Sequence, residues 1–171
     1  MTGAMTGRSV LISGAARGLG LRAAQVLAAR GASVALADID EGGGQAAAAA
    51  LVEQGATATF VRLDVTDDAS WAAATETVVS AHGGLDVVVN NAGVAVGGRI
   101  GEVGLEDWRY AIDINLLGVV HGCHVFVPEM KQQGRGRILN VASSAGLVSM
   151  PILGPYNATK AAVVALSETL H

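Results

Sequence analysis

Short runs of β-branched and other apolar residues recur along the chain at Val10 to Ile12, Val34 to Ala37, Phe60 to Leu63, Val87 to Val89 and Ile138 to Val141. Between them apolar positions fall three and four apart, the spacing of one helix face. Runs too apolar to alternate read as strands buried on both faces, and strands that alternate with helices build βαβ units. Five such strands joined by right-handed crossovers predict an α/β fold with a parallel, doubly wound sheet covered by helices on both sides. At 171 residues the chain fits one domain, 1–171, with a sizeable core.

The helical stretches differ in character. Glu41 to Gln54 is alanine-rich and reads as a surface helix with a soft first turn at Gly42, Gly43 and Gly44. Asp68 to His82 reads as a covering helix, capped by Asp67 or Thr66, with Trp71 and Val78 in the core. Leu105 to Gln133 has one long helical periodicity, which Pro128 is expected to bend near its end. Asn115 stands in the middle of it, where an amide is unfavourable by propensity and therefore needs a local task.

Composition narrows the partners. The charged fraction is 15% and the net charge is −4, so no nucleic-acid or anionic-membrane surface is expected and the partner is a small molecule. Mean hydropathy is +0.44, yet no apolar stretch approaches the roughly 20 residues that span a bilayer. Cys123 is the single cysteine, which fits a reducing compartment and makes the cytoplasm the expected location. His121 and His124 are spaced like a ligand pair, but no third ligand lies near them in sequence, so no metal is expected.

The chemistry begins at Ser13-Gly14-Ala15-Ala16-Arg17-Gly18-Leu19-Gly20, which follows the first strand and opens a helix at Leu21. A glycine-rich turn in that context is a phosphate cradle. Gly14 permits the tight exit, and Gly18 and Gly20 are expected to let backbone and helix approach a pyrophosphate. Asp38 ends the second strand about 20 residues on, where a carboxylate accepts hydrogen bonds from ribose hydroxyls. That favours NAD over NADP, whose extra phosphate would repel Asp38, although Arg17 could pair with it. Asp64 and Val65, after the third strand, are placed to meet an adenine. Asn90, Asn91, Ala92 and Gly93 follow the fourth; the amides are expected to tie strand ends together and the small residues to admit a flat ring.

The fifth strand delivers Ser143 to the same edge, and Gly154-Pro155 opens a helix that puts Tyr156 and Lys160 on one face. A phenol of ordinary pKa near 10 is a poor base at neutral pH. An ammonium about 5 Å away, at an effective dielectric near 20, favours the phenolate by some 3 kcal/mol. Tyr156 can then exchange a proton with an alcohol or ketone oxygen while hydride moves to or from a nicotinamide, with Ser143 holding that oxygen.

These motifs, in this order, resemble the short-chain dehydrogenase/reductase family: the turn at 13–20, Asp64-Val65, Asn90-Asn91-Ala92-Gly93, Asn115, Ser143 and Tyr156-x-x-x-Lys160. Ser13 stands where the family usually has threonine. The resemblance implies a Rossmann-like sheet of order 3-2-1-4-5, a catalytic tetrad of Asn115, Ser143, Tyr156 and Lys160, and NAD(P)-linked oxidation of an alcohol or reduction of a ketone. It also implies that Lys160 contacts the nicotinamide ribose, that Asn115 holds a water, and that copies associate through the helices at 116–133 and from 155 onward. Family members continue past the position of His171 with two more strands and a substrate-covering segment, so the chain is expected to be a piece of a longer enzyme with strand five at a sheet edge. The rival reading is a non-catalytic dinucleotide-binding or assembly module. Val94 to Gly98 and Leu147 to Leu153 show only that the remaining substrate walls are apolar.

Overall fold

The computed structural model describes residues 3–170. Its elements follow the predicted alternation: β1 (Ser9–Ser13), α1 (Gly18–Ala29), β2 (Ser33–Asp38), α2 (Glu41–Glu53), β3 (Ala58–Arg62), α3 (Asp68–His82), β4 (Val87–Asn90), α4 (Leu105–Ile112), α5 (Gly118–Gln133), β5 (Arg137–Asn140) and α6 (Gly154–Glu168). All strand pairings are parallel and the order is β3-β2-β1-β4-β5. The direction of winding reverses between β1 and β4. In sheets of this kind that reversal opens a crevice at the C-terminal strand ends.

Side chains alternate across the sheet and both faces are covered, which is why the strands read as unbroken apolar runs. Val10, Ile12, Val34 and Leu36 pack on one face against Ala24 and Ala28 of α1 and Ala48 and Leu51 of α2. Leu11, Ala35, Val61 and Val88 pack on the other against Trp71 and Val78 of α3 and Phe126 of α5. Trp71 meets Phe126 edge to face at 6.0 Å and donates its indole N–H to Val65 O. α6 joins α5 through Val119, Cys123 and Val163.

The structure adds two details and changes one expectation. The glycines at the start of α2 form a capped turn, with Asp40 accepting from Gly43 N, and Gly44 is bare because the Phe60 ring lies where a Cβ would go. Leu105 to Gln133 is one continuous helical run, but Asp113–Leu117 is a π-helical turn, and α5 runs on through Pro128 to Gln133. That run also contains an 18-residue window of mean hydropathy 1.4, long and apolar enough to cross a membrane by length and composition, so the reading that no stretch qualifies does not hold. A helix whose inner side packs on a sheet meets the same criterion, as α5 does through Phe126. β3 and β5 are the outer strands of the sheet among the described residues, and Leu139 on β5 is 57% exposed.

At the opposite, N-terminal edge the His82 ring lies between Ser9 Oγ (3.2 Å from Nδ1) and Thr59 Oγ1 (3.1 Å from Nε2), linking α3 to β1 and β3. Burial holds its pKa below the ordinary 6.5. Below that value the unfolded chain binds the proton that the folded chain refuses, so stability falls as pH drops through 6.5 and levels off beneath the folded pKa. The urea midpoint should therefore decline between pH 7.5 and 5, and His82→Gln should flatten the decline. An equally steep decline in the variant would assign the loss to another group.

Candidate active site

The crevice at the C-terminal edge is built first by backbone. Gly14 leaves β1 at φ +66 and Gly18 enters α1 at φ +60, a region open to glycine at little cost. Gly20 carries a packing duty as well as the one expected of it. It is buried, and a Cβ there would run into Gly14 O and the Asn91 amide, so its bare Cα serves the packing of α1 against the turn. Leu19 and Arg17 are exposed on the crevice wall.

Side chains then tie the strand ends. Ser13 Oγ accepts from Asn91 N (3.0 Å) and Ala92 N (3.1 Å), and Asn91 Nδ2 donates to Ser13 O (2.8 Å) and Gly14 O (3.1 Å). Asn90 Nδ2 donates to Asn140 Oδ1 at 2.8 Å, joining β4 to β5. The amides at the end of β4 thus tie neighbours together as expected. The part played by Ser13 was not legible from a residue type so common in turns. Asp38 holds the glycine turn, accepting from Ala16 N at 2.9 Å and from Asp40 N at 3.0 Å. Asp64 accepts from the N–H and hydroxyl of Thr66, which hold its carboxyl below the usual range, while Asp67 caps α3. His121 is taken up by Val65 O at 3.0 Å and faces Asp68 at 3.6 Å, a carboxylate that is remote in sequence.

Asn115 sits in the π-helical turn, fully buried. Its Oδ1 accepts from Val94 N (2.8 Å), and its Nδ2 donates to Val94 O (2.9 Å) and Thr159 Oγ1 (3.3 Å). The extra residue per turn explains how a helix interior aims an amide at two other elements. Both amide hydrogens are engaged by protein, so a water held at Asn115 would be one that donates to an oxygen of this residue. Asn115 fixes the stretch after β4 to α6.

Lys160, 4% exposed, donates from Nζ to Val141 O at 2.7 Å and lies 5.9 Å from the centre of the Tyr156 ring. Burial pushes its pKa down from 10.5. Ser143 Oγ accepts from Ala145 N at 3.2 Å, capping a short 3-10 turn at Ser144–Gly146, which leaves its O–H free to donate.

One cleft of about 630 Å³ joins these parts. It runs from Arg17, Leu19 and Asp38, past Asp64, Val65 and Asn91 to Gly93, to Ser143, Tyr156 and Lys160. Gly18, Gly20 and Asn115 support it from outside its lining. Ile39, Tyr110 and Ile114 also line it and were missed; the last two stand one helical turn apart, the one signal that could have found them.

A family model described as short chain dehydrogenase matches residues 8–171. The chain is 42% identical to a 3-alpha-(or 20-beta)-hydroxysteroid dehydrogenase of Mycobacterium tuberculosis, over 99% of this chain and 64% of that protein. It is 45% identical to a trans-4-hydroxycyclohexanecarboxylate dehydrogenase of Sinomonas cyclohexanicum, over 93% of this chain and 63% of that one. The chain therefore spans just under two thirds of the length of these relatives. Among solved structures, a short chain dehydrogenase/reductase from Burkholderia phymatum in complex with NAD superposes with a TM-score of 0.94 at 40% identity, covering 97% of this chain and 59% of that one.

The two inner glycines should separate in a stability measurement. Gly20→Ala forces a Cβ against backbone and should lower stability by about 1–3 kcal/mol, whereas Gly18→Ala meets open space and carries only the left-handed backbone penalty of about 1 kcal/mol. Urea midpoints check the order, and a larger loss at Gly18 would reverse the roles given to them.

Proposed function

The chain belongs to the short-chain dehydrogenase family, and on that premise we propose that it takes NAD(H) along the cleft and interconverts a secondary alcohol and its ketone, with Tyr156 as the general acid/base. The observation that carries the reading is the continuity of the cleft: the carboxylate suited to ribose hydroxyls and the Tyr156, Lys160 pair line one space. The residues present fit a dinucleotide. Gly14, Arg17 and Leu19 of the glycine turn line the cleft, and each Asp38 oxygen accepts one backbone N–H and keeps a lone pair for a hydroxyl. Bound there, the nicotinamide supplies the hydride acceptor or donor.

The chain's own residues do the rest. In the oxidative direction the Tyr156 phenolate removes the alcohol proton, and in the reductive direction the phenol returns it. Lys160 places its charge beside that ring, held by Val141 O. Ser143 donates its free O–H to the same substrate oxygen. Asp38 discriminates against a 2′-phosphate by like charge. Copies of the chain associate through the helices at 116–133 and from 155 onward, the reading that the family resemblance supports; Leu117 beside the first of them is exposed.

Tyr156→Phe should lower kcat on a panel of secondary alcohols by about 10²–10⁴-fold while leaving the Kd for NAD within twofold. Equal rates would favour the non-catalytic module. In calorimetry NAD should bind at least about tenfold more tightly than NADP, and Asp38→Ala should narrow the ratio. Tighter binding of NADP would give the choice to Arg17.

A further inference from the structure

The β2–β3 ladder ends before the cleft does. Its last pair is Asp38 with Arg62, and Leu63 N then donates to Asp38 O. Asp64 and Val65, which line the cleft, lie beyond that point, so their backbone is held by side chains of α3 and α5. Ser70 Oγ accepts from Asp64 N at 2.9 Å. Val65 O takes two ring nitrogens, Trp71 Nε1 of α3 at 3.1 Å and His121 Nδ1 of α5 at 3.0 Å. These two donors occupy both lone pairs of the carbonyl.

α5 meets Val65 at two successive turns. At Gly118 an added Cβ would stand 2.8 Å from Val65 Cγ2, so the bare Cα seats the isopropyl group. One turn on, His121 takes the carbonyl. A carbonyl only accepts, so the proton of the neutral imidazole sits on Nδ1, and Nε2 is left as the acceptor. Nε2 faces Asp68 at 3.6 Å, but that carboxylate is 82% exposed, and an exposed pair of this kind is weak. The bond to Val65 O is therefore the one that orients the ring. Trp71 also anchors the core against Phe126, whereas His121 is only partly buried and its hydrogen bond goes to Val65.

Resting on the dinucleotide reading above, we propose that His121 is a positioning residue for the cofactor: donating from Nδ1 to Val65 O, it fixes the part of the cleft wall that meets the adenine. It does not line the cleft itself and acts through Val65, which does. A wall held in place before binding removes an ordering cost from association.

The test reads the ring and the cofactor separately. In heteronuclear imidazole NMR spectra at about pH 8.5, the His121 signals, assigned by their loss in His121→Asn, should show the proton on Nδ1 and none on Nε2. A proton on Nε2 overturns the bond to Val65 O. In calorimetry His121→Phe should weaken NAD and ADP-ribose by the same factor, about three- to tenfold, because the tie lies on the adenine side. His121→Asn should return both to within about twofold of wild type, since its amide nitrogen stands at the same place along the side chain. A general loosening between α3 and α5 would not be rescued by the smaller residue. Unchanged affinity in His121→Phe, unequal losses for the two ligands, or no rescue by asparagine overturns the positioning role while leaving the dinucleotide reading intact. A wild-type chain that binds neither ligand overturns that reading, and the positioning role with it.

Discussion

A parallel sheet covered on both faces is vulnerable where its strands stop and their last backbone groups lose ladder partners. Here one hydroxyl closes that edge. Ser13 Oγ accepts the N–H groups of both Asn91 and Ala92, and the Asn91 amide returns to Ser13 O and Gly14 O. These four bonds extend the β1–β4 pairing past the last residues of its ladder, where the strand order reverses. They also hold Ala92, and with it Gly93, in the cleft wall. Asp38 repeats the device one strand away, using Ala16 N to bind the glycine turn to β2.

The second half of the site hangs on Asn115 in a comparable way. Its amide takes both backbone groups of Val94 and the Thr159 hydroxyl, so the stretch after β4, the long helix and α6 meet at one buried side chain. A regular α-helix would not deliver that geometry at this point. The π-helical turn is the local departure that does, and the bare Cα of Gly93 faces both Asn115 Oδ1 and Lys160 Nζ, which a Cβ there would crowd.

Much of the fold was legible because it rests on periodicity. The α3 helix at Asp68–His82 and the helical run at Leu105–Gln133 fall where the spacing of apolar residues places them. Asn115 was legible as an anomaly, an amide in a helix interior, but its partners were not, since Val94 and Thr159 come from elements remote in sequence. Gly20 shows the same limit. The sequence marks a glycine that must be bare, but whether the neighbouring turn requires it as well as a phosphate depends on where the Asn91 amide lies. Gly44 is a third case, reserved for the Phe60 ring of a strand still to come.

Lys160 carries a charge where burial disfavours it, and the identity of its partner shows what the site preserves. An aspartate in place of the Val141 carbonyl would hold the ammonium more firmly and would cancel its field at the Tyr156 ring 5.9 Å away. A carbonyl orients the ammonium without neutralising it. The surroundings are consistent with that choice, since Ile138 to Thr159 supplies no carboxylate and Asn115 joins the packing through an uncharged amide. The consequence is the downward pull on the lysine's own pKa, for which desolvation is the cause. Under the oxidoreductase reading proposed above, this is the arrangement in which a protonated Lys160 acts on the Tyr156 phenol without a neighbouring carboxylate to offset it.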